Sequence, residues 1–267
     1  MRAYRGYRFS QAALVLAAAL ALCPPAALAK DEIIQLDLGA YTFHAKDNIS
    51  VGGPTIAGTK FGIEREGTPD NDTVFRVDGT IRPFERHRLR FMYLDSTREG
   101  SGLIDRTISF RDATYNLGSR VNSSFRLQET ELDYMYSFWK SDELEWAATL
   151  GVHLAKIVAT LNAPSLSLSQ QAEANGPVPM IGLAVNWTPH EKWELFGHVS
   201  GMSASIKDYS GTAVAYRVGA RYFFTDNIGV GLAWAGVRYN LDVNRSAWLG
   251  TLDASHNGGQ AFLSFRY

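Results

Sequence analysis

The stretch ELFGHVSGM carries the side chains best suited to covalent chemistry in this 267-residue chain. In an extended backbone alternate residues share a face, so Glu194, His198 and Ser200 point the same way. A serine activated by a histidine, with an acid orienting the ring, is the apparatus of acyl transfer. Two features weigh against it. Glu194 lies two pleats from His198, and the following segment offers no carboxylate at the matching level. The other histidines, His44, His87, His153, His190 and His256, are scattered without metal-ligand spacing, so neither a metal nor a cofactor is expected. No glycine-rich loop joins a strand to a helix, so a phosphate cradle is not expected either.

A second set of residues is defined by charge. Arg76, Asp78, Arg88, Arg90, Glu131, Asp133, Arg217 and Arg221 each fall on the polar face of a segment whose other face is apolar. Opposite signs on one face suit a crowded interior in which the charges satisfy one another. They also suit a charge-lined pore. The first reading implies a filled tube, the second a conduit.

The elements that must carry these residues are strands. Period-two alternation runs through the sequence. In GTAVAYRVGARYFF, Val214, Tyr216, Val218, Ala220, Tyr222 and Phe224 share one face, opposite Arg217 and Arg221. VPMIGLAVNWT, ELEWAATLGVHL, ELDYMYSF, HRLRFMYL and NIGVGLAWAG repeat the pattern. The apolar faces are rich in Tyr and Trp, as on a lipid-facing wall. Phe138, Trp139, Trp146, Trp187, Trp193, Phe223 and Phe224 gather beside short turns and are expected to form an aromatic girdle. Connections near 98–121, 162–177 and 243–257 read as longer loops at the opposite end. After Leu154 and after Trp234 the apolar residues change parity. That predicts either β-bulges or strands leaving the membrane.

Eight strands are well marked between residues 72 and 242, and 258–267 makes a ninth. Even strand counts are the rule for bacterial barrels, so one more is needed. Residues 33–45 are taken as that strand, giving ten, with 56–66 as an irregular strand, a loop hairpin or an inward insert. Eight is the alternative if two of the segments are loop extensions. The expected fold class is all-β, a closed antiparallel up-and-down transmembrane barrel. In its last strand Ala261, Leu263, Phe265 and Tyr267 face lipid and serve as the assembly signal.

The N-terminus supplies the address. Arg2, Arg5 and Arg8 precede the apolar run AALVLAAALAL, and Ala27 and Ala29 form a small-x-small cleavage site. This is the layout of a secretory signal peptide. Residues 1–29 are expected to be cleaved, leaving 30–267 as one barrel domain. The single cysteine, Cys23, leaves with the signal, so export brings no disulfide framework. Losing three arginines moves the formal charge from −1 to about −4, which argues against a nucleic-acid partner.

Signal peptide, alternating strands, aromatic-ringed short turns and the ending AFLSFRY together resemble the small outer-membrane β-barrel proteins of Gram-negative bacteria, the OmpA/OmpX/OmpW type. The resemblance covers the whole mature chain as a pattern and fixes no subfamily. It implies an outer-membrane location, outer-membrane lipid and lipopolysaccharide as surroundings, and assembly by the outer-membrane insertion machinery. The expected role is non-enzymatic: envelope structure, surface interaction or small-solute passage. The His198–x–Ser200 pair resembles that of the lipid A deacylases of the outer membrane, which gives a lipid-modifying enzyme as the alternative. No ligand is specified.

Overall fold

A computed structural model describes residues 33–53, 56–206, 208–245 and 248–267. Residues 1–29, expected to be the signal peptide and including Ala27 and Ala29, lie outside the described residues. In chain order the strands are β1 (Ile34–Gly52), β2 (Phe61–Gly62), β3 (Asn71–Phe84), β4 (His87–Leu103), β5 (Ile108–Phe110), β6 (Ala113–Tyr115), β7 (Arg120–Lys140), β8 (Leu144–Ala163), β9 (Leu168–His190), β10 (Trp193–Ile206), β11 (Tyr209–Phe223), β12 (Ile228–Arg245) and β13 (Trp248–Arg266). Two 3₁₀ turns, Ile63–Glu66 and Pro164–Leu166, complete the set. No helix among the described residues is long and apolar enough to cross a membrane.

Ten of these strands form the wall: β1, β3, β4 and β7 to β13, each antiparallel to the next. β13 then pairs with β1 from Gln35↔Arg266 to Gly52↔Leu249, and the ring closes without an edge. Backbone bonds at the seam, Ile34 N–H to Tyr267 O (3.0 Å) and Tyr267 N–H to Ile34 O (2.9 Å), carry the pairing to the last residue. The ten-strand expectation holds, and residues 33–45 belong to the first wall strand. Residues 56–66 are an inward insert: β2 pairs only with Asn48 and Ile49, and Phe61 and Ile63 are fully buried.

The expected long loops are mostly strand. β8 and β9 pair from Leu144↔Trp187 to Ala163↔Leu168, leaving only a tight 3₁₀ turn between them. β12 and β13 pair as far as Arg245↔Trp248. The two extended connections are 53–70 and 104–119. Strands of 17 to 23 residues, such as β4 and β9, are about twice the 9–11 that a bilayer needs. About half of the wall therefore stands beyond the hydrocarbon.

This explains the parity changes after Leu154 and Trp234. Neither position carries a bulge: the β7–β8 register is continuous from Asn122↔Asn162 to Ser137↔Ala147, and β12–β13 shows no shift. The pleat keeps its sense while the hydrophobic residues change sides. Below the switch, Leu150, Leu154, Leu232 and Trp234 face outward. Above it, Ile157, Ala159, Leu161, Val237 and Tyr239 face inward and are buried. On the outside at that level are Lys156, Arg238 and Asn240. The wall is surrounded by lipid in one zone and water in the other, and the apolar side follows the drier medium.

In the upper zone an apolar plug fills the barrel. Ile49, Val51, Phe61, Ile63, Ile108, Phe110, Tyr115, Phe125 and Leu161 are at most 1% exposed and pack in one cluster. The insert and the β5–β6 hairpin supply five of these nine side chains. Thr59 N–H donates to Ser109 O (2.9 Å), and Tyr115 Oη donates to Leu161 O (3.0 Å), tying hairpin to insert and wall. Gly67, at φ +94°, reverses the chain after the 3₁₀ turn. A Cβ there would lie 2.4 Å from the Ser101 carbonyl carbon, so the insert meets β4 backbone to backbone.

Removing residues 258–267 should therefore abolish closure. The expected result is loss of the faster-migrating unboiled band in a heat-modifiability gel of the membrane fraction. A truncated chain that still shows that band would refute the role of β13 as the closing strand.

Candidate functional site

The lower zone holds a polar interior. Every strand there turns one residue in two inward, and the sequence puts charge at those positions. Arg76, Asp78, Arg88, Arg90, Glu131, Asp133, Arg217 and Arg221 are all buried inside the barrel, at most 8% exposed. All but Arg88, which pairs with Glu145 (3.6 Å), form a connected network centred on Asp37 of β1, with Arg90 joined to it through Asp78 (3.6 Å). Its carboxylate accepts from Arg221 Nη2 (2.7 Å), Arg217 Nη2 (3.1 Å) and Ser264 Oγ (2.8 Å). Arg221 Nη1 continues to Glu194 (2.8 Å), which also accepts from Gln35 Nε2 (3.0 Å). Arg217 Nε donates to Gln260 (3.1 Å), and Gln260 Nε2 donates to Asp78 (3.2 Å). Asp78 takes a bidentate pair from Arg76 (2.9 and 3.0 Å). Arg90 Nη1 bridges Glu131 (2.7 Å) and Asp133 (2.5 Å).

Two inward aromatics brace the cations. The Arg221 guanidinium lies 3.9 Å from the Phe196 ring centre and that of Arg217 4.6 Å, and Arg217 lies 5.1 Å from Phe262. These contacts suit guanidinium, which is planar and weakly hydrated. Nearer the short turns Arg82 pairs with Glu145 (2.7 Å), which also accepts from Ser137. At the opposite limit Glu129 meets His256 Nε2 at 3.1 Å, and His256 Nδ1 meets Tyr41 Oη at 3.1 Å.

Sequence reasoning found the eight charges but missed Asp37 as their hub, and missed Glu129, Tyr41 and His256. Parity was the available signal. Leu36, Leu38 and Ala40 turn outward, so Gln35, Asp37 and Tyr41 turn inward. What parity cannot give is which inward residues meet across the lumen.

The hydrolytic constellation is not assembled. Glu194 is engaged by Arg221 and Gln35 rather than by His198. The His198 ring reaches Thr149 on β8 (Nε2–Oγ1 3.5 Å) across Gly182 and Ala184 of β9. Ser200 is buried, and its Oγ has no hydrogen-bond partner. It faces the lumen, away from the lipid side.

Phe138, Trp139, Trp146, Trp187, Trp193 and Phe224 lie exposed on the outer face beside the short turns. Trp139 stands opposite Trp146, and the Trp193 ring is 5.0 Å from that of Tyr222. Phe223 corrects the expected girdle. It is 1% exposed and points inward, with the Arg266 guanidinium 3.7 Å from its ring centre. The β11 pleat runs without a shift to Phe223 and turns it inward, whereas a register shift between Ser137 and Trp139 lets the consecutive Phe138 and Trp139 both reach the outer face. In the closing strand Ala261, Leu263, Phe265 and Tyr267 face outward, while Phe262 and Ser264 are buried.

One lumenal cavity of about 50 Å³ is lined by Asp37, Asp78, Arg90, His198 and Arg217 among others, and a second is about 10 Å³. A buried water needs about 10–15 Å³ by that measure. Cavities of this size hold a few waters.

Beyond the hydrocarbon, Asp47 of β1 pairs with Arg98 of β4 beneath the plug. Burial pushes the Asp47 carboxyl up to about 6, against the pull of Arg98, and Glu64 adds to the rise. Burial likewise raises Glu66, helped by Asp105. Both Glu66 carboxylate oxygens are buried and without hydrogen-bond partners.

No family model matches the sequence, and no curated protein matches it. Solved structures do. The outer membrane protease OmpT from Escherichia coli aligns over 88% of this chain and 96% of its own, at 12% identity and a TM-score of 0.56. The translocator domain of the autotransporter NalP from Neisseria meningitidis aligns over 96% and 95%, at 12% identity and a TM-score of 0.40. The attachment invasion locus protein Ail of Yersinia pestis aligns over 87% and 99%, at 8% identity and a TM-score of 0.38. The fold argument rests on the first of these.

Two outcomes follow from the geometry. Asp37→Ala takes a shared carboxylate from two buried arginines, leaving Arg221 only Glu194 and Arg217 only the more distant Asp78, which should destabilise the barrel by up to about 3–5 kcal/mol in urea unfolding from lipid vesicles. A loss below about 1 kcal/mol would remove Asp37 from its central position. For Asp47 and Glu66 the folded pKa exceeds the unfolded one, so the folded state binds more protons and protonation favours it. Stability of the upper zone should fall as pH rises from about 4 to about 6 and then level off, read by amide exchange of 56–66 and 104–119. Glu66→Gln should slow that exchange at neutral pH, corresponding to about 1–3 kcal/mol. Faster exchange in this variant would contradict the assignment.

The closed ring, its lipid-facing aromatic belt and its fold likeness lead to one identification: this chain is a ten-stranded β-barrel of the outer-membrane type.

Proposed function

We propose that the protein is a non-enzymatic, closed barrel that works as an envelope element and contact surface rather than as a conduit. The observation that carries this reading is double closure. The polar lumen is filled by a connected ion-pair network, and the far mouth is stopped by the apolar plug. Each alone would obstruct a hydrated solute.

The part of the wall that stands clear of lipid supports a contact role. Its outer face is laced with cross-strand pairs: Arg126–Asp95 (2.6 Å), Lys156–Glu173 (3.3 Å) and Arg238–Asp253 (3.5 Å). Such pairs add little stability, but they give a stiff, charged, water-facing collar. In this reading outer-membrane lipid and lipopolysaccharide surround the lower belt. The insertion machinery engages β13 through Ala261, Leu263, Phe265 and Tyr267.

Planar-bilayer recording tests the proposal. The wild-type barrel should give no resolvable conductance steps. Deleting 104–119 should leave it silent, because the network below still blocks the lumen. Regular steps from the folded wild type would refute the closed reading. The hydrolytic alternative makes its own demand: lipid A mass spectra that lose an acyl chain only when Ser200 is intact would establish the enzyme and overturn this proposal.

A further inference from the structure

We propose that Glu131, Asp133 and His153 form a buried structural site for a transition-metal dication of the zinc type, inside the barrel wall between β7 and β8. The histidines have no ligand spacing along the sequence, and the site arises only from strand pairing. Glu131 and Asp133 occupy successive inward positions of β7, and His153 of β8 stands directly opposite Glu131. One ligand atom from each of the three lies within 4.8 Å of the others.

The donors are turned toward a missing partner. Arg90 takes one oxygen of each carboxylate, Glu131 Oε2 and Asp133 Oδ2. Asp133 Oδ1 has no hydrogen-bond partner, and neither ring nitrogen of His153 has one. His153 is 1% exposed and Asp133 3%. Glu131 Oε1 lies 3.6 Å from His153 Nδ1, beyond hydrogen-bonding distance. An imidazole with both nitrogens unsatisfied in a sealed interior is costly. A cation bound by an imidazole nitrogen, Asp133 Oδ1 and Glu131 Oε1 removes that cost.

The surroundings fit such a centre. Opposite Asp133 the strand has Gly151, where a Cβ would fall 1.9 Å from Asp133 Oδ1. The absent side chain is the space that the carboxylate occupies. Arg90 fixes the rear oxygens of both carboxylates, as hydrogen-bonded groups behind metal ligands commonly do. One imidazole and two carboxylates suit zinc, with ligand bonds of about 2.0–2.2 Å and a water as fourth ligand. Magnesium and calcium prefer an all-oxygen shell. Ligand atoms around tetrahedral zinc stand about 3.4 Å apart, so side-chain adjustments of about 1 Å complete the site. The competing arrangement is a proton on His153, which would pair it with Glu131 without any metal.

The test uses the untagged mature chain, stripped of metal while unfolded and folded into micelles with equimolar Zn²⁺ or Co²⁺. After gel filtration, metal content is read by mass spectrometry and the cobalt protein by visible absorption. The expected result is one zinc per folded barrel, resistant to chelator because the lumen is closed, with the intense cobalt bands of a four-coordinate centre. His153→Gln and Asp133→Asn should each lose the metal at least tenfold, while His44→Ala on the outer surface should keep it. Heat-modifiable migration reports whether each variant folds. Should a variant fail to fold, the cobalt spectrum of the wild type decides alone. A folded, zinc-free wild type, equal zinc in wild type and His153→Gln, or only weak six-coordinate cobalt bands would each overturn the site and leave the protonated pair.

Discussion

Backbone amides inside a bilayer have no water to bond, so each must find a partner in the protein. For strands the only complete solution is a ring. In this chain that requirement is met by the seam between β1 and β13, where pairing extends from Gly52↔Leu249 to Gln35↔Arg266. The rest of the architecture follows. A ring of ten tilted strands encloses a space too narrow to stand empty and too wide for backbone alone to fill. The interior must be built from side chains, and what they are is set by the medium outside.

The barrel solves this filling problem twice, in opposite senses. In the lipid zone the outside takes the hydrophobic residues, and the lumen is packed with arginine, carboxylate and amide groups. In the water zone the same strands, in the same pleat, put Ile157, Leu161, Val237 and Tyr239 inside. There the hydrophobic effect favours an apolar interior, and burying Phe61, Phe110 and Phe125 contributes about 1.5–3 kcal/mol each. In the lipid zone exchanging lumen for outside brings no such gain, because the outer face is already in hydrocarbon. A polar lumen is tolerated there when every charge has a partner, and Asp37, Arg217 and Arg221 show how densely those partners are shared.

Fold class, strand number and face assignment were legible because they depend on local alternation and on closure. Val214, Tyr216 and Val218 opposite Arg217 require only the pleat. The ending AFLSFRY needed only a partner strand, which 33–45 supplied. One open choice and one misreading share a source. The parity change after Leu154 admitted a bulge or a strand emerging from the membrane, and the sequence alone does not say where the lipid stops. The supposed loops near 162–177 and 243–257 lost their lipid-facing signature for the same reason, although they remain paired strand. Phe223 was drawn to the girdle by its neighbour Phe224, against the alternation that places it inside with Arg266.

Contacts across the lumen lie deeper than local pattern. Asp37 and Arg221 are 184 residues apart, and nothing in either strand names the other. The choice of residue type still carries information. All six basic residues in the ion pairs of the polar lumen other than histidine are arginines: Arg76, Arg82, Arg88, Arg90, Arg217 and Arg221. Lysine would supply the same charge, but a guanidinium can bond two carboxylates in its plane while its faces lie on rings. Arg221 does both, bonding Asp37 and Glu194 while stacked over Phe196. Arg217 and Arg221 of β11 reach Asp37 of β1, and Arg82 of β3 reaches Glu145 of β8, so these arginines cross-link strands that do not pair and hold the walls at fixed separation. Here they connect β1, β3, β4, β7, β10, β11 and β13 into one interior.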